Sequence, residues 1–161
     1  MHGTWITANT MSSEDYHPAH LGVLTRCDLK IASRNVDGLD SNKFEKNLAN
    51  VDTQGIGEMV LQGTRCSTAQ ARQMGGQLKK RMGRQAKLFN VEGPTALNSN
   101  CTPKAVRVGG QMFLTDHKIG VYTNNFLRDP TELGVLSSIT ISSKAANLSI
   151  KIIPIGHQTM S

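Results

Sequence analysis

Residues 71–89 repeat their apolar side chains at helical spacing, and that pattern dictates much of what the rest of the chain must provide. Placed at ~100° per residue, Ala71, Met74, Leu78, Met82, Ala86 and Phe89 share one arc. Arg72, Lys79, Lys80, Arg84 and Lys87 occupy the opposite arc, and only Arg81 strays from it. A helix of this kind needs an apolar surface to lie on. Gly75, Gly76 and Gly83 each cost ~1 kcal/mol against Ala in a helix interior, so a break or kink at Gly75–Gly76 is expected.

The surface it lies on should be a sheet. Gly, Ser, Thr and Asn make up 52 of 161 residues, which favours turns and strands over further long helices. Val23, Cys27, Leu29 and Ile31 alternate with Leu24, Arg26, Asp28 and Lys30 and fit a half-buried strand, followed by a turn at Asn35-Val36-Asp37-Gly38. A short helix follows, with Asn42 as its cap, Glu45 as the reciprocal partner, and Phe44 and Leu48 on one face; the polar run and two glycines of residues 50–57 close it. Glu58 to Gln62 fits a second strand.

After Pro94, residues 98–103 read as a loop. Val106 and Val108 face Met112 and Leu114 across Gly109-Gly110 as a hairpin, and Ile119 with Val121 reads as a further strand. Asp129-Pro130 ends that segment. The clearest hairpin comes last: Ile139 and Ile141 alternate with polar residues, residues 143–147 turn, and Leu148, Ile150 and Ile152 alternate on the return. Pro154 confines that final strand to an edge or an end.

These elements give an α+β fold, a mainly antiparallel sheet with one or two helices packed on it; the alternative is a β-sandwich or barrel with a helical insertion. Residues 1–20 read as an irregular N-terminal arm and 21–161 as a single globular domain. A chain of this length buries roughly two thirds of its unfolded surface and needs no disulfides to fold. Cys27, Cys66 and Cys101 are odd in number and contain no CxxC pair, which fits reduced thiols in a cytoplasmic or virion setting. No signal-peptide pattern opens the sequence and no window approaches the ~20 apolar residues of a membrane span. The sequons at Asn100 and Asn147 carry little weight in that setting.

The charge is unevenly placed. The net charge is +6. Between Glu58 and Glu92 there is no acidic residue, while Arg65, Arg72, Lys79, Lys80, Arg81, Arg84 and Lys87 supply seven cations. Such a row neutralises phosphates and releases their counterions, which makes nucleic acid or another polyanion the expected partner. Phe, Tyr and Trp number seven in all, few for a base-stacking platform.

Signatures of chemistry are weak by comparison. His17 and His20 beside Glu14 and Asp15 hold metal-ligand residue types, but Pro18 blocks helical presentation and no second cluster completes a site; they are read as surface histidines. Cys66, next to Arg65, is the better placed nucleophile candidate, with His117 or His157 as conceivable bases. Gly55-Ile56-Gly57 lacks the third glycine of a dinucleotide loop. Asp116-His117 has the residue types of an orienting pair for a general base, and reads more simply as a turn. No cofactor is implied.

Lys46-Asn47-Leu48-Ala49-Asn50-Val51-Asp52-Thr53-Gln54-Gly55 resembles the short NLANVDTPG signature near the N-terminus of flagellar rod and hook subunits. The resemblance covers ten residues, has Gln54 at the proline position, and lies some forty residues later than in those subunits. It is followed by an expected terminal hairpin where they carry a helix that packs into the axial tube, so no residue roles are carried across. The function expected from the residues themselves is a non-catalytic binding or assembly protein on nucleic acid phosphates, a ribonucleoprotein or coat-like subunit with possible homo-oligomerisation. A small enzyme acting on an anionic substrate, or a filament or protein-interaction subunit without nucleic acid, are the alternatives.

Overall fold

A computed structural model describes residues 4–8, 29–97, 105–128, 136–144 and 147–154, with backbone alone at 4–8, 96–97 and 105–106. In chain order its elements are β1 (Thr4–Ala8), β2 (Leu29–Asn35), α1 (Ser41–Gln54), β3 (Glu58–Gln62), α2 (Thr68–Met82), β4 (Lys87–Val91), β5 (Thr95–Leu97), β6 (Ala105–Arg107), β7 (Gln111–Thr115), α3 (His117–Gly120), β8 (Thr123–Leu127), β9 (Ser138–Ser143) and β10 (Leu148–Ile152). The architecture is α+β. A five-stranded sheet has the order β1-β2-β3-β7-β4, a three-stranded antiparallel sheet the order β10-β9-β8, and β5 pairs with β6.

The large sheet is mixed. β2 and β3 run parallel, joined through α1, while β7 inserts antiparallel between β3 and β4. Met59 and Leu61 of β3 and Met112 and Leu114 of β7 face the helices, where Phe44, Leu48, Met74 and Leu78 complete the main core. Strand alternation turns Val60 and Phe113 to the opposite face, where they meet Ile139 of β9, with Phe89 and Phe126 beside them. A second cluster on that side joins Leu29, Ile119 and Ile141. The chain is therefore layered helix, sheet, sheet, and β3 and β7 are covered on both faces.

Local chemistry explains the helices. Asp40, not Asn42, caps α1: its Oδ1 accepts the Lys43 N–H at 2.7 Å. Lys43 Nζ donates in turn to the carbonyls of Val36, Asp37 and Gly38, tying the preceding turn to the helix start. The helix continues through the polar run expected to close it and stops at Gly55, whose left-handed conformation (φ 62°) lets its N–H reach the Asp52 and Val51 carbonyls. The stretch resembling the flagellar signature is the C-terminal two thirds of this helix, with Asn47, Leu48 and Val51 buried. Ser67 and Gln70 form a reciprocal capping box at the start of α2. α2 then runs unbroken through Gly75–Gly76, because its buried face of Ala71, Met74, Leu78 and Met82 anchors both halves to the sheet.

Three further expectations are corrected. β6 does not pair with β7 across Gly109-Gly110; β6 pairs with β5, and β7 is drawn between β3 and β4. The two glycines, both at positive φ, instead present carbonyls to the N–H groups of Gly63, Thr64 and Arg65. Ile119 lies in α3 and Val121 in the turn after it; the strand begins at Thr123. The expected strand from Val23 begins, within the described residues, at Leu29 and extends to Asn35. The two arms of the terminal hairpin are present as read, β9 against β10 with Ile141 opposite Ile150, and β10 is an edge strand; residues 145 and 146 of the expected turn lie outside the described residues. Residues 9–28, 98–104 and 129–135 lie outside the described residues, and with them the expected strand positions 23–28, the expected loop at 98–103 and Asp129-Pro130.

Leu78 is fully buried between α2 and the sheet. Replacing it with Ala should cost ~2–5 kcal/mol through lost transfer energy and the cavity left behind. Chemical denaturation would show the loss as a lower midpoint at unchanged slope, whereas a loss under ~1 kcal/mol would contradict this packing.

Candidate nucleic-acid interface

The seven cations separate once the elements are in place. Arg65, in the loop before α2, pairs with Asp37 at 2.6 Å. Arg81 leans toward α1, its guanidinium 3.4 Å from Glu45 Oε2 and 3.6 Å from Asp52 Oδ2. Lys87 lies on β4, opposite Thr115 in the register, and its Nζ donates to the Thr123 carbonyl at 2.8 Å. Arg72, Lys79, Lys80 and Arg84 are exposed and make no ion pair or side-chain hydrogen bond among the described residues. Three of the seven thus serve the fold, and four face outward with their charge uncompensated.

Helical geometry explains the split. At ~100° per residue Arg81 stands on the α1 flank of the buried arc, whereas Arg72, Gly76 and Lys79 cluster within ~60° of one another on the other flank. That flank overhangs β4, an edge of the large sheet. Between them runs a groove of about 570 Å³, lined by Arg72, Gly75, Gly76 and Lys79 from the helix, Leu88 and Asn90 from the strand, and Arg128 from beyond β8. Arg128 and Asn90 were not singled out in the sequence. Arg128 is far along the chain, and an asparagine on a strand carries no signal until its surroundings are known.

Two features of the groove oppose stability. Gly75 and Gly76 are not at positive φ, and a Cβ at Gly76 would meet nothing within 4 Å while one at Gly75 would meet only Leu88, at 3.9 Å. Backbone conformation and packing therefore do not require glycine at either position, although each costs ~1 kcal/mol against Ala. Asn90 turns its amide inward with both Oδ1 and Nδ2 shielded from solvent and unbonded, a cost of about 1–3 kcal/mol.

The candidate catalytic pairs are not assembled. Cys66 is buried at the N-terminal end of α2, its Sγ 3.5 Å from the Leu39 carbonyl, and burial pushes its thiol pKa up, away from the reactive thiolate. His117 sits beside Gly83 at the other end of that helix, ~22 Å away for 15 residues. Asp116 caps α3, and its Oδ1 lies 2.6 Å from both the backbone N and Nδ1 of His117, so the pair opens a short helix where a turn was expected. No cluster of three metal-ligating side chains occurs among the described residues; His17, His20 and His157 lie outside them. Among the described residues no helix is long and apolar enough to cross a membrane.

Sequence comparison adds no family to this picture: no protein-family model matches the chain, and no curated protein matches it.

Two carboxylates near this region are displaced in opposite directions. The Thr68 side chain, then its backbone N–H at the start of α2 and the Arg107 ion pair, hold the Glu92 carboxyl below the usual range against the opposing effect of desolvation. Glu58, fully buried on β3 between the two sheets, is pushed from 4.5 to about 8 by desolvation, with the Thr115 hydroxyl bond to Oε2 at 2.6 Å opposing the shift; its Oε1 has no partner. At neutral pH Glu58 is therefore a neutral acid. The folded chain keeps that proton after the unfolded chain has lost it, so this group's stabilisation is full below pH 4.5, falls as pH rises, and is gone above about 8. Glu58→Gln, which mimics the neutral acid, should flatten the decline between pH 5 and 8 in denaturant titrations; an unchanged slope would show that Glu58 does not set it.

Proposed function

We propose that this chain is a non-catalytic binding or assembly protein whose α2 face contacts nucleic acid phosphates. The observation that carries the reading is the set of four outward cations, Arg72, Lys79, Lys80 and Arg84, on one rigid helix and the turn after it, with no acidic side chain paired to them among the described residues. A solvated helix face ordinarily mixes its charges, because like charges at i, i+4 spacing repel. A phosphate backbone removes that repulsion and releases its own counterions. The helix is held from beneath by four buried side chains and from one side by Arg81, so the cations are presented on a fixed support. A ribonucleoprotein or coat-like subunit suits this arrangement. Self-association belongs to the same reading.

A salt titration tests the phosphate contacts. Four neutralised phosphates give log Kobs a slope of about −3 against log salt on a random oligonucleotide. The double variant Arg72→Ala/Lys79→Ala should reduce that slope by about half, and Lys144→Gln, in the β9–β10 turn, should leave it unchanged. Binding that is absent, or that does not respond to salt, would refute the proposal.

A further inference from the structure

We infer that the groove between α2 and β4 seats one unpaired nucleotide, so that the nucleic acid is held as a single strand. The inference rests on the phosphate-contact reading above and adds to it what enters the groove.

The groove has three properties that the charged face alone does not explain. Its lining includes two adjacent glycines that the backbone conformation and packing do not require, beside the cations Arg72 and Lys79. Its volume, about 570 Å³, falls within the ~300–1,000 Å³ of sites that hold a small organic ligand. Asn90 lines the groove, with an amide donor and acceptor that are both unbonded and shielded from solvent behind the groove wall. Turned toward the cleft, such an amide is the residue type that reads a base edge or a sugar hydroxyl.

Charge placement orients the occupant. Arg72 and Lys79 stand on the helix side and Arg128 approaches from beyond β8. The phosphates on either side of one nucleotide meet these cations, and the base lies inward on Ala71 and Leu88. A duplex keeps its bases paired and inside, so it reaches only the rim. A single strand can turn a base out of its stack and into the groove.

Anisotropy of labelled oligothymidylate, an abasic strand with the same phosphate number, and a duplex with the same phosphate number would test this at one salt concentration. The expected result is about tenfold tighter binding of oligothymidylate than of either other probe, on the order of what burying the apolar face of one base contributes. Gly76→Leu fills the groove with a better helix former, so its melting temperature should rise. It should also bring oligothymidylate down to the affinity of the abasic strand with the salt slope unchanged. Gly76→Ala should show the same direction at smaller size. Equal affinities for oligothymidylate and the abasic strand, or no effect of Gly76→Leu on a folded protein, would overturn the inference while leaving the phosphate contacts standing. Failure to bind any of the three probes would overturn both.

Discussion

The burial of β3 and β7 on both faces is the constraint from which the rest of the structure follows. A strand covered on one side alternates apolar and polar residues, and a strand covered on both sides has no polar phase. Glu-Met-Val-Leu and Gln-Met-Phe-Leu-Thr are buried along their whole length. The Met59, Leu61, Met112 and Leu114 phase supports α1 and α2, and the Val60 and Phe113 phase supports the small sheet. The polar members of this pair then have to be satisfied inside. Thr115 bonds Glu58, Ser137 bonds Gln111, and Gln111 reaches the Pro154 carbonyl at 3.5 Å. Glu58 remains half-satisfied, and it keeps its proton because the ionised form has no water near it.

The same layering decides what α2 can offer. Its apolar arc is committed to the sheet and one flank to α1 through Arg81. The other flank overhangs β4, an edge of the sheet, and there the helix carries glycines and unpaired cations instead of packing side chains. Two unpaired cations, Arg72 and Lys79, the opened space and the unbonded Asn90 amide thus meet between one flank of α2 and β4. These are features that cost stability, and their coincidence is what a binding site requires and a scaffold alone does not.

Much of this was legible in the residues, for identifiable reasons. The arc of Ala71, Met74, Leu78 and Met82 survives because it spans about three turns on one element. The last hairpin survives because alternation and turn residues agree over both arms. Ser67-x-x-Gln70 is a capping box that was written in the sequence and went unread. Other features were hidden by distance. The Gly109-Gly110 signal is a good hairpin turn locally, but β7 gains more by filling the gap between β3 and β4, a pairing with partners far along the chain. Lys87 and Arg84 continue the helical charge pattern on paper, yet the helix ends at Met82, so Lys87 follows strand alternation instead and serves Thr123. The groove was out of reach altogether, since it joins Gly75–Gly76 to Asn90 and Arg128 only after the sheet has formed.

The most direct test of the account is to map where an oligonucleotide touches the folded protein. Amide chemical shifts followed during titration with oligothymidylate at low salt should move along residues 68–84 and 87–91 and at Arg128, with α1 and the β9–β10 hairpin still. Shifts confined to α1 or to the small sheet, or no shifts at all, would contradict it.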